Sequence, residues 1–301
     1  MVHALVLCAS LCMVAPAQAA LKVVATTPDL AALVAEVGGD GVSVTSLSNS
    51  NENPHYVDPR PRLVVALSQA DLLLVNGLDL EIGWLPPLQV NARNPEILLG
   101  GAGYFDAAKH VTRLLETNKS TDRAMGDIHP GGNPHFLFDP RAGAELAIAI
   151  GDKLANLAPE QAMAVRAGAR RGAEKLKAMA AQQSERFKAL GPEKLKVITY
   201  HRSMIYLLDW LGIERPINVE PIPGVAPTPS HVARVLATMR AERIHIILQE
   251  PFYPTGTSKT LARLGKAQLV ILPGGARFKA GEGYVERLQN TAEVLHAALS
   301  N

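Results

Sequence analysis

The 301-residue chain is poor in cysteine and in aromatic residues, and neither sign of charge prevails. Its two cysteines, Cys8 and Cys12, both lie in the first 20 residues. The remainder therefore offers no disulfide, no thiolate zinc site and no cysteine nucleophile. The 30 Lys and Arg residues against 28 Asp and Glu residues argue against a nucleic-acid-binding surface. A hydrophobic share of 48% excludes a disordered chain and predicts a globular protein with substantial cores.

Long apolar runs are also missing, since no later stretch reaches the roughly 20 uncharged residues that a transmembrane helix needs. Residues 1–20 contain no Asp, Glu, Lys or Arg. Their apolar run Ala4–Val14 precedes Ala17–Ala19, which has the small-x-small form of a signal-peptidase site. A buried first strand is the alternative interpretation. We predict a signal peptide over residues 1–19, cleaved near Ala19, and a mature protein free in the periplasm.

Beyond this segment, short β-rich runs alternate with helical stretches in two sets. Such alternation predicts βαβ units, and therefore an α/β fold with mainly parallel sheets. The predicted strands are Leu21–Ala25, Val42–Leu47, Asp71–Val75 and Glu96–Leu99 in the first set, and Lys196–Tyr200, Pro216–Val219, Ile244–Gln249 and Gln268–Leu272 in the second. The predicted helices lie near Leu30–Val37, Ser203–Leu211, Ser230–Arg243 and Thr257–Leu264.

Residues 159–190 separate the two sets and are rich in Ala, Glu, Lys, Gln and Arg. These strong helix formers predict one helix of about 30 residues. It could be a surface helix of a single domain, but its mid-chain position favours a rigid connector between two lobes. We therefore predict an N-terminal lobe over 20–158, a linking helix over 159–190 and a C-terminal lobe over 191–301.

A repeated motif is the clearest functional signal. The segment NPHYVDPR at 53–60 recurs as NPHFLFDPR at 133–141, with one extra residue between histidine and aspartate. We expect each Asp-Pro pair to begin a helix, with Asp as N-cap and Pro at the first helical position. His55 and His135 would then lie in loops that lead into helices, where functional sites usually form.

Two further residues follow predicted strands directly. His201 and Glu250 each lie at the carboxyl end of a strand, where open α/β sheets bind ligands. With His55 and His135 they offer three imidazoles and one carboxylate, a set that suits tetrahedral Zn²⁺. Mn²⁺ prefers more oxygen ligands. Because the four residues are far apart in sequence, a zinc finger or helical HExxH motif is excluded, and a site between two lobes is predicted.

Together these features resemble the metal-type (cluster A-I) solute-binding proteins of ABC importers, the family of zinc and manganese receptors. The resemblance covers the exported N-terminus, both histidine motifs, the long helix and the segment Thr199–His201. It implies two α/β lobes joined by one long helix, with the metal between them and His55, His135 and His201 at the family's three ligand positions. It also implies that the protein is a monomer and that it is not an enzyme. Its partners would be a divalent metal ion, with Zn²⁺ expected before Mn²⁺, and the membrane permease of an ABC importer.

The fourth ligand is where the sequence departs from that family. The family usually has an aspartate just beyond the last strand, whereas residues 270–276 contain no carboxylate. Either Glu250 takes this place or water completes a three-histidine site, and we favour Glu250. The opposing interpretation is that Glu250 caps the turn Pro251–Thr255. His129, near the family's usual His-rich loop, is expected to be a solvated residue rather than a passing metal contact. The remaining internal histidines His110, His231, His245 and His296 are expected to be structural.

Two other functions compete with that of a metal receptor. An exported zinc hydrolase could use three histidines with Glu250 as general base, although the sequence marks no substrate pocket or oxyanion-binding group. A receptor for a metal chelate or corrinoid would need a broad cleft but would not need three converging histidines. A site sealed around the ion would favour the receptor.

Overall fold

The structure is a computed structural model that describes residues 20–116 and 129–300. The predicted signal peptide, residues 1–19, lies outside the described residues. The first of two parallel sheets consists of β1 (Leu21–Ala25), β2 (Val42–Ser46), β3 (Leu72–Val75) and β4 (Tyr104–Asp106). Its strand order is β2-β1-β3-β4.

Both faces of this sheet are buried, as β3 shows. Leu72 and Leu74 join one core and Leu73 and Val75 join another, because successive strand residues point to opposite faces. Such unbroken apolar strands are typical of parallel sheets covered by helices on both sides. One face is covered by α1 (Pro28–Gly38) and α4 (Pro140–Leu157), and the other by α2 (Pro61–Ser68) and α3 (Leu85–Ala92).

The second sheet follows the mid-chain helices. It consists of three parallel strands in the order of the chain, β5 (Ile198–Thr199), β6 (Ile246–Gln249) and β7 (Gln268–Ile271). Its helices are α6 (Ile205–Leu211), α7 (Pro229–Ala241), α8 (Gly256–Gly265) and α9 (Tyr284–Ser300). The predicted α/β class with two parallel sheets is therefore confirmed. The predicted strand Pro216–Val219 contributes only an isolated bridge, between Asn218 and Thr199.

The long mid-chain helix is α5 (Ala162–Lys188), which has 27 residues and is about 40 Å long. We call the first sheet with α1 to α4 the N-terminal unit and the second sheet with α6 to α9 the C-terminal unit. The buried residues of α5 join a core shared with α1, α4, α6 and α9, so that it packs against both units. At Gly168 the approach to α1 is so close that a Cβ atom would collide with the Val37 carbonyl. Within the described ranges, no helix is long and apolar enough to cross a membrane.

Two local predictions were wrong, and proline explains both. Glu96–Leu99 is not a strand, because Pro95 begins a short 3₁₀ helix and the strand comes later, as β4. Asp58-Pro59 does not begin α2, whose N-cap is Arg60. Since Arg60 precedes Pro61, it is held in extended conformation and the helix cannot start earlier. In the second motif the prediction is confirmed, because Asp139 caps α4 by accepting from the Arg141 amide.

Candidate metal centre

Three of the four predicted site residues converge between the two units. The potential ligand nitrogens of His55, His135 and His201 all lie within 4.8 Å of one another. The Nε2 atoms of His55 and His135 are 3.2 Å apart, and the ring of His201 lies edge-on to both. His55 follows β2, His135 precedes α4 and His201 follows β5, so the cluster depends on the packing of distant segments.

The first histidine is presented by a short turn of the N-terminal unit. The Asn53 side chain accepts a hydrogen bond from the His55 backbone amide at 3.0 Å. The indole of Trp84 donates to the Pro54 carbonyl at 2.9 Å. Both bonds hold the peptide group that joins Pro54 to His55.

The second histidine repeats this arrangement. Asn133 Oδ1 accepts from both the backbone amide and Nδ1 of His135, at 3.0 and 2.9 Å. Because Nδ1 donates its proton here, the lone pair lies on Nε2, which faces the other two rings. Asn76 also donates to the Pro134 carbonyl at 2.8 Å, which ties the segment to the first sheet.

Three aromatic side chains of the C-terminal unit also hold the segment of His135. Tyr206 donates to the Asn133 carbonyl, Trp210 to that of Phe138 and Tyr284 to that of Leu137. These three distances are 2.8, 2.9 and 2.9 Å. We call Tyr206, Trp210 and Tyr284 the aromatic donors. His135 is thus attached to the unit that carries His201, although it precedes the long helix in the sequence.

The third histidine is held by a buried carboxylate. His201 Nδ1 donates to Glu220 Oε2 at 2.7 Å, and both side chains are almost fully buried. The Tyr253 ring lies 5.3 Å from the ring of His201 and covers one side of it. Glu220 was not among the predicted site residues, although it directly follows the predicted strand Pro216–Val219 and so carries the same signal as His201.

Burial favours the neutral form of His135, which is the form that can bind a metal ion. Burial lowers the pKa of His135 well below its usual value, and the neighbouring rings of His55 and His201 lower it further. His135 is therefore neutral at pH 7, and a neutral imidazole is the form that binds metals. Three imidazoles at this spacing present nitrogen lone pairs to one point in space.

Glu250 lies beside this cluster but outside it. Its side chain is 1% exposed and accepts a hydrogen bond from the Ser203 hydroxyl. Burial raises the pKa of this carboxyl above its usual value. Among the described residues, the group of ligand atoms within 4.8 Å of one another contains the three histidines and not Glu250. The carboxylate bonds to Ser203 rather than to the turn Pro251–Thr255.

His129 was predicted to be solvated, and this is wrong. It is 8% exposed, its Nδ1 donates to the Leu78 carbonyl at 2.6 Å, and its ring lies 5.1 Å from that of His55. The side chain is buried because it packs against the segments of Leu78 and His55, and such packing cannot be predicted from the amino-acid composition of a loop. Four other histidines were predicted to be structural, and each of them contacts a residue of the protein. His110 contacts Phe105, His231 contacts Asn218, His245 contacts Lys266 and His296 contacts Phe187.

Comparison with known families agrees with this fold. The model of the family described as ZnuA, zinc-uptake complex component A, periplasmic, matches residues 23–298. The chain belongs to this family. Its members are substrate-binding proteins of metal ABC importers and not enzymes, so the predicted resemblance is confirmed and the hydrolase is not favoured.

Relatives along the whole chain carry similar descriptions. The manganese ABC transporter substrate-binding lipoprotein PsaA of Streptococcus anginosus is 25% identical, over 99% of this chain and 96% of the relative. The metal ABC transporter substrate-binding lipoprotein SsaB of Streptococcus sanguinis is 24% identical, over 81% and 76%. The family is extracytoplasmic, and the chain is a metal-type substrate-binding protein of an ABC importer.

Solved structures share the fold at low sequence identity. A crystal structure of ZnuA matches with a TM-score of 0.78 and 22% identity, over 94% of this chain and all of the other. A Mn-bound periplasmic metal binding protein from Candidatus Liberibacter asiaticus matches with a TM-score of 0.76 and 19% identity, over 93% and 99%. Both comparisons support the two-sheet architecture described above.

Proposed function

We propose that this protein captures Zn²⁺ in the periplasm with His55, His135 and His201 and delivers it to the permease of an ABC importer. The convergence of three imidazoles from both units, two of them buried and that of His135 partly buried, is the observation that carries the proposal. At His135 and His201 the Nδ1 atoms are engaged by Asn133 and Glu220, which leaves Nε2 as the metal-binding atom.

The donor set favours zinc over manganese. Three imidazole nitrogens suit Zn²⁺, whereas Mn²⁺ is better served by carboxylate and other oxygen ligands. The matching family is described by zinc uptake, although relatives such as PsaA are named for manganese. We therefore expect Zn²⁺ to bind more tightly than Mn²⁺ when the two compete at equal concentration.

Glu250 is our proposed fourth ligand. It is a buried carboxylate that directly follows β6, and burial raises its pKa by disfavouring the charged form. A bound cation would offset this cost by attracting the negative charge. To coordinate the metal it must leave Ser203. If Glu250→Ala leaves zinc affinity unchanged, water and not Glu250 completes the site.

The remaining assignments follow from the sequence. We propose that residues 1–19 are a signal peptide cleaved near Ala19, and that the mature protein acts as a monomer in the periplasm. Its lobes would comprise 20–158 and 191–301, joined by the helix of 159–190. The apolar run before a small-x-small site and the two separate sheets support this division.

The test is a zinc titration of the purified mature protein against a competing chelator. We expect one Zn²⁺ per chain, and a fall in affinity of about 100-fold or more for His55→Ala and His201→Ala, above the 10–100-fold cost of losing an outer-sphere partner. His245→Ala, which removes an exposed histidine, is the matched control and should bind as the wild type does. Unchanged affinity in folded His55→Ala and His201→Ala proteins, checked by circular dichroism, would refute the proposal.

A further inference from the structure

A second buried carboxylate, that of Glu220, is hydrogen-bonded to the ring of His201. Glu220 is 7% exposed and accepts the Nδ1 proton of His201 at 2.7 Å. Its own backbone amide donates to the Tyr200 carbonyl at 3.0 Å, and the Gly224 amide approaches the same carboxylate oxygen at 3.4 Å. The position of Glu220 against the ring of His201 is therefore fixed both at its backbone and at its carboxylate.

Resting on the proposed zinc function, we infer that Glu220 is a positioning residue that raises the metal affinity of the site through His201. By accepting the Nδ1 proton, Glu220 fixes the tautomer whose lone pair is on Nε2 and fixes the ring's orientation. A metal ligand held in one tautomer and one rotamer loses less entropy when the ion binds.

The charge of Glu220 adds a second effect. His135 is held by a neutral amide, Asn133, whereas the partner of His201 is an acid. A carboxylate partner makes an imidazole a stronger electron donor to the metal. It also supplies negative charge where a dication must enter a buried space.

This second effect matters because the converging ligands carry no negative charge. Among the described residues, the group of ligand atoms within 4.8 Å contains three imidazoles and no carboxylate. Glu250, another acid near His201, accepts a hydrogen bond from Ser203. Glu220 thus acts on the metal site through one of its ligands.

The decisive experiment compares Glu220→Gln and Glu220→Ala in the mature protein. Gln keeps the size and can still accept a hydrogen bond from the Nδ1–H group but removes the charge, while Ala removes both the hydrogen bond and the charge. Zinc affinity is measured by chelator competition, and the visible spectrum of the Co²⁺-loaded protein reports the ligand field. Glu242→Gln removes a partly exposed acid of the same unit, paired with Lys196, and is the matched control.

We expect Glu220→Ala to weaken zinc binding by about 10–100-fold and Glu220→Gln by a smaller factor, with shifted Co²⁺ bands in both and no change in the control. Imidazole nitrogen NMR should show a single His201 tautomer in the metal-free wild type and a mixture in Glu220→Ala. A merely structural role would change stability and leave the bands and tautomer unchanged.

The outcomes separate this inference from the proposed function. If the wild type binds zinc and His201→Ala does not, while both Glu220 variants keep wild-type affinity and Co²⁺ bands, the inference is overturned and the function stands. If His201→Ala binds zinc as tightly as the wild type, the proposed function itself falls. Should Glu220→Ala fail to fold, the isosteric Glu220→Gln decides.

Discussion

The two histidine motifs have nearly the same sequence and local geometry but very different surroundings. In each, an asparagine two residues before the histidine accepts its backbone amide at 3.0 Å. The following aromatic residue, however, is 63% exposed in the first motif, as Tyr56, and fully buried in the second, as Phe136. The repeat therefore fixes how the ring is presented, while packing decides how firmly each copy is held.

The partners of the two motifs differ in the same way. The first motif is bonded by Trp84 of its own unit, whereas the second receives the three aromatic donors from the other unit. Since Asn76 also bonds the second motif to the first sheet, His135 is held by both units, and we expect the separation of His55 and His201 to change most when the units shift. Loosening of one ligand is a simple way to release a captured ion.

The largest expected effect is a pH dependence of the free energy of unfolding that arises from Glu81, which is linked to the second motif through Asn76. This buried carboxylate accepts hydrogen bonds from Thr26 and from the amide of Asn76, whose side chain holds the second motif at Pro134. Burial raises the pKa of Glu81 from 4.5 to about 7. The folded protein therefore keeps a proton that the unfolded chain loses, and stability falls as pH rises through this interval, by about 3 kcal/mol.

Glu81→Gln cannot titrate, so it should remove this pH dependence. Urea unfolding of the metal-free protein from pH 4.5 to 8 measures it. Relative to the wild type, the variant should gain stability as pH rises, by about 3 kcal/mol in total. Parallel stability curves for the two proteins would show that Glu81 is ionised in the fold throughout.

The aromatic donors should give the next largest effect. Tyr206→Phe removes a hydroxyl that donates to the buried Asn133 carbonyl and accepts from the partly buried Leu115 amide, and so leaves both groups without this partner. We expect a loss of about 2 kcal/mol in the free energy of unfolding, with weaker zinc binding. Tyr104→Phe, which removes a half-buried hydroxyl in β4, is the control for the substitution itself. If Tyr206→Phe and Tyr104→Phe lose the same unfolding free energy and zinc affinity, the bond from Tyr206 to the second motif does not specifically stabilise the site.

The smallest effect concerns the two aspartates of the repeat. Asp139 caps α4, whereas Asp58 caps no helix and is 86% exposed. Asp139→Ala should cost about 1 kcal/mol of unfolding free energy, as N-cap losses usually do. Asp58→Ala should change it by less than about 0.5 kcal/mol. Equal losses, measured by urea unfolding, would contradict the assignment of the two caps.

Much of the site could be predicted because its signals are local. Strand ends in parallel sheets meet at one edge, so His201 was placed correctly from its position after an apolar run. The repeat of Asn-Pro-His indicated that His55 and His135 share a setting. Helix α5 followed from composition alone, since strong helix formers without proline have no competing structure over that length.

The rest depends on contacts that sequence patterns do not record. Trp210 and Tyr284 bond to residues 72 and 147 positions away, and nothing near either aromatic residue indicates its partner. The burial of His129 and the bond between Glu250 and Ser203 likewise arise from how loops pack. The late start of α2 was readable in principle, because Arg60 lies between two prolines.

The central claim is that one ion binds to three imidazoles between the two units. A crystal structure of the zinc-loaded mature protein, with anomalous data at the zinc edge, tests it most directly. We predict a single strong peak about 2.0–2.1 Å from Nε2 of His55, His135 and His201. A zinc peak at another place, or one that contacts fewer than three of these nitrogens, would contradict the account.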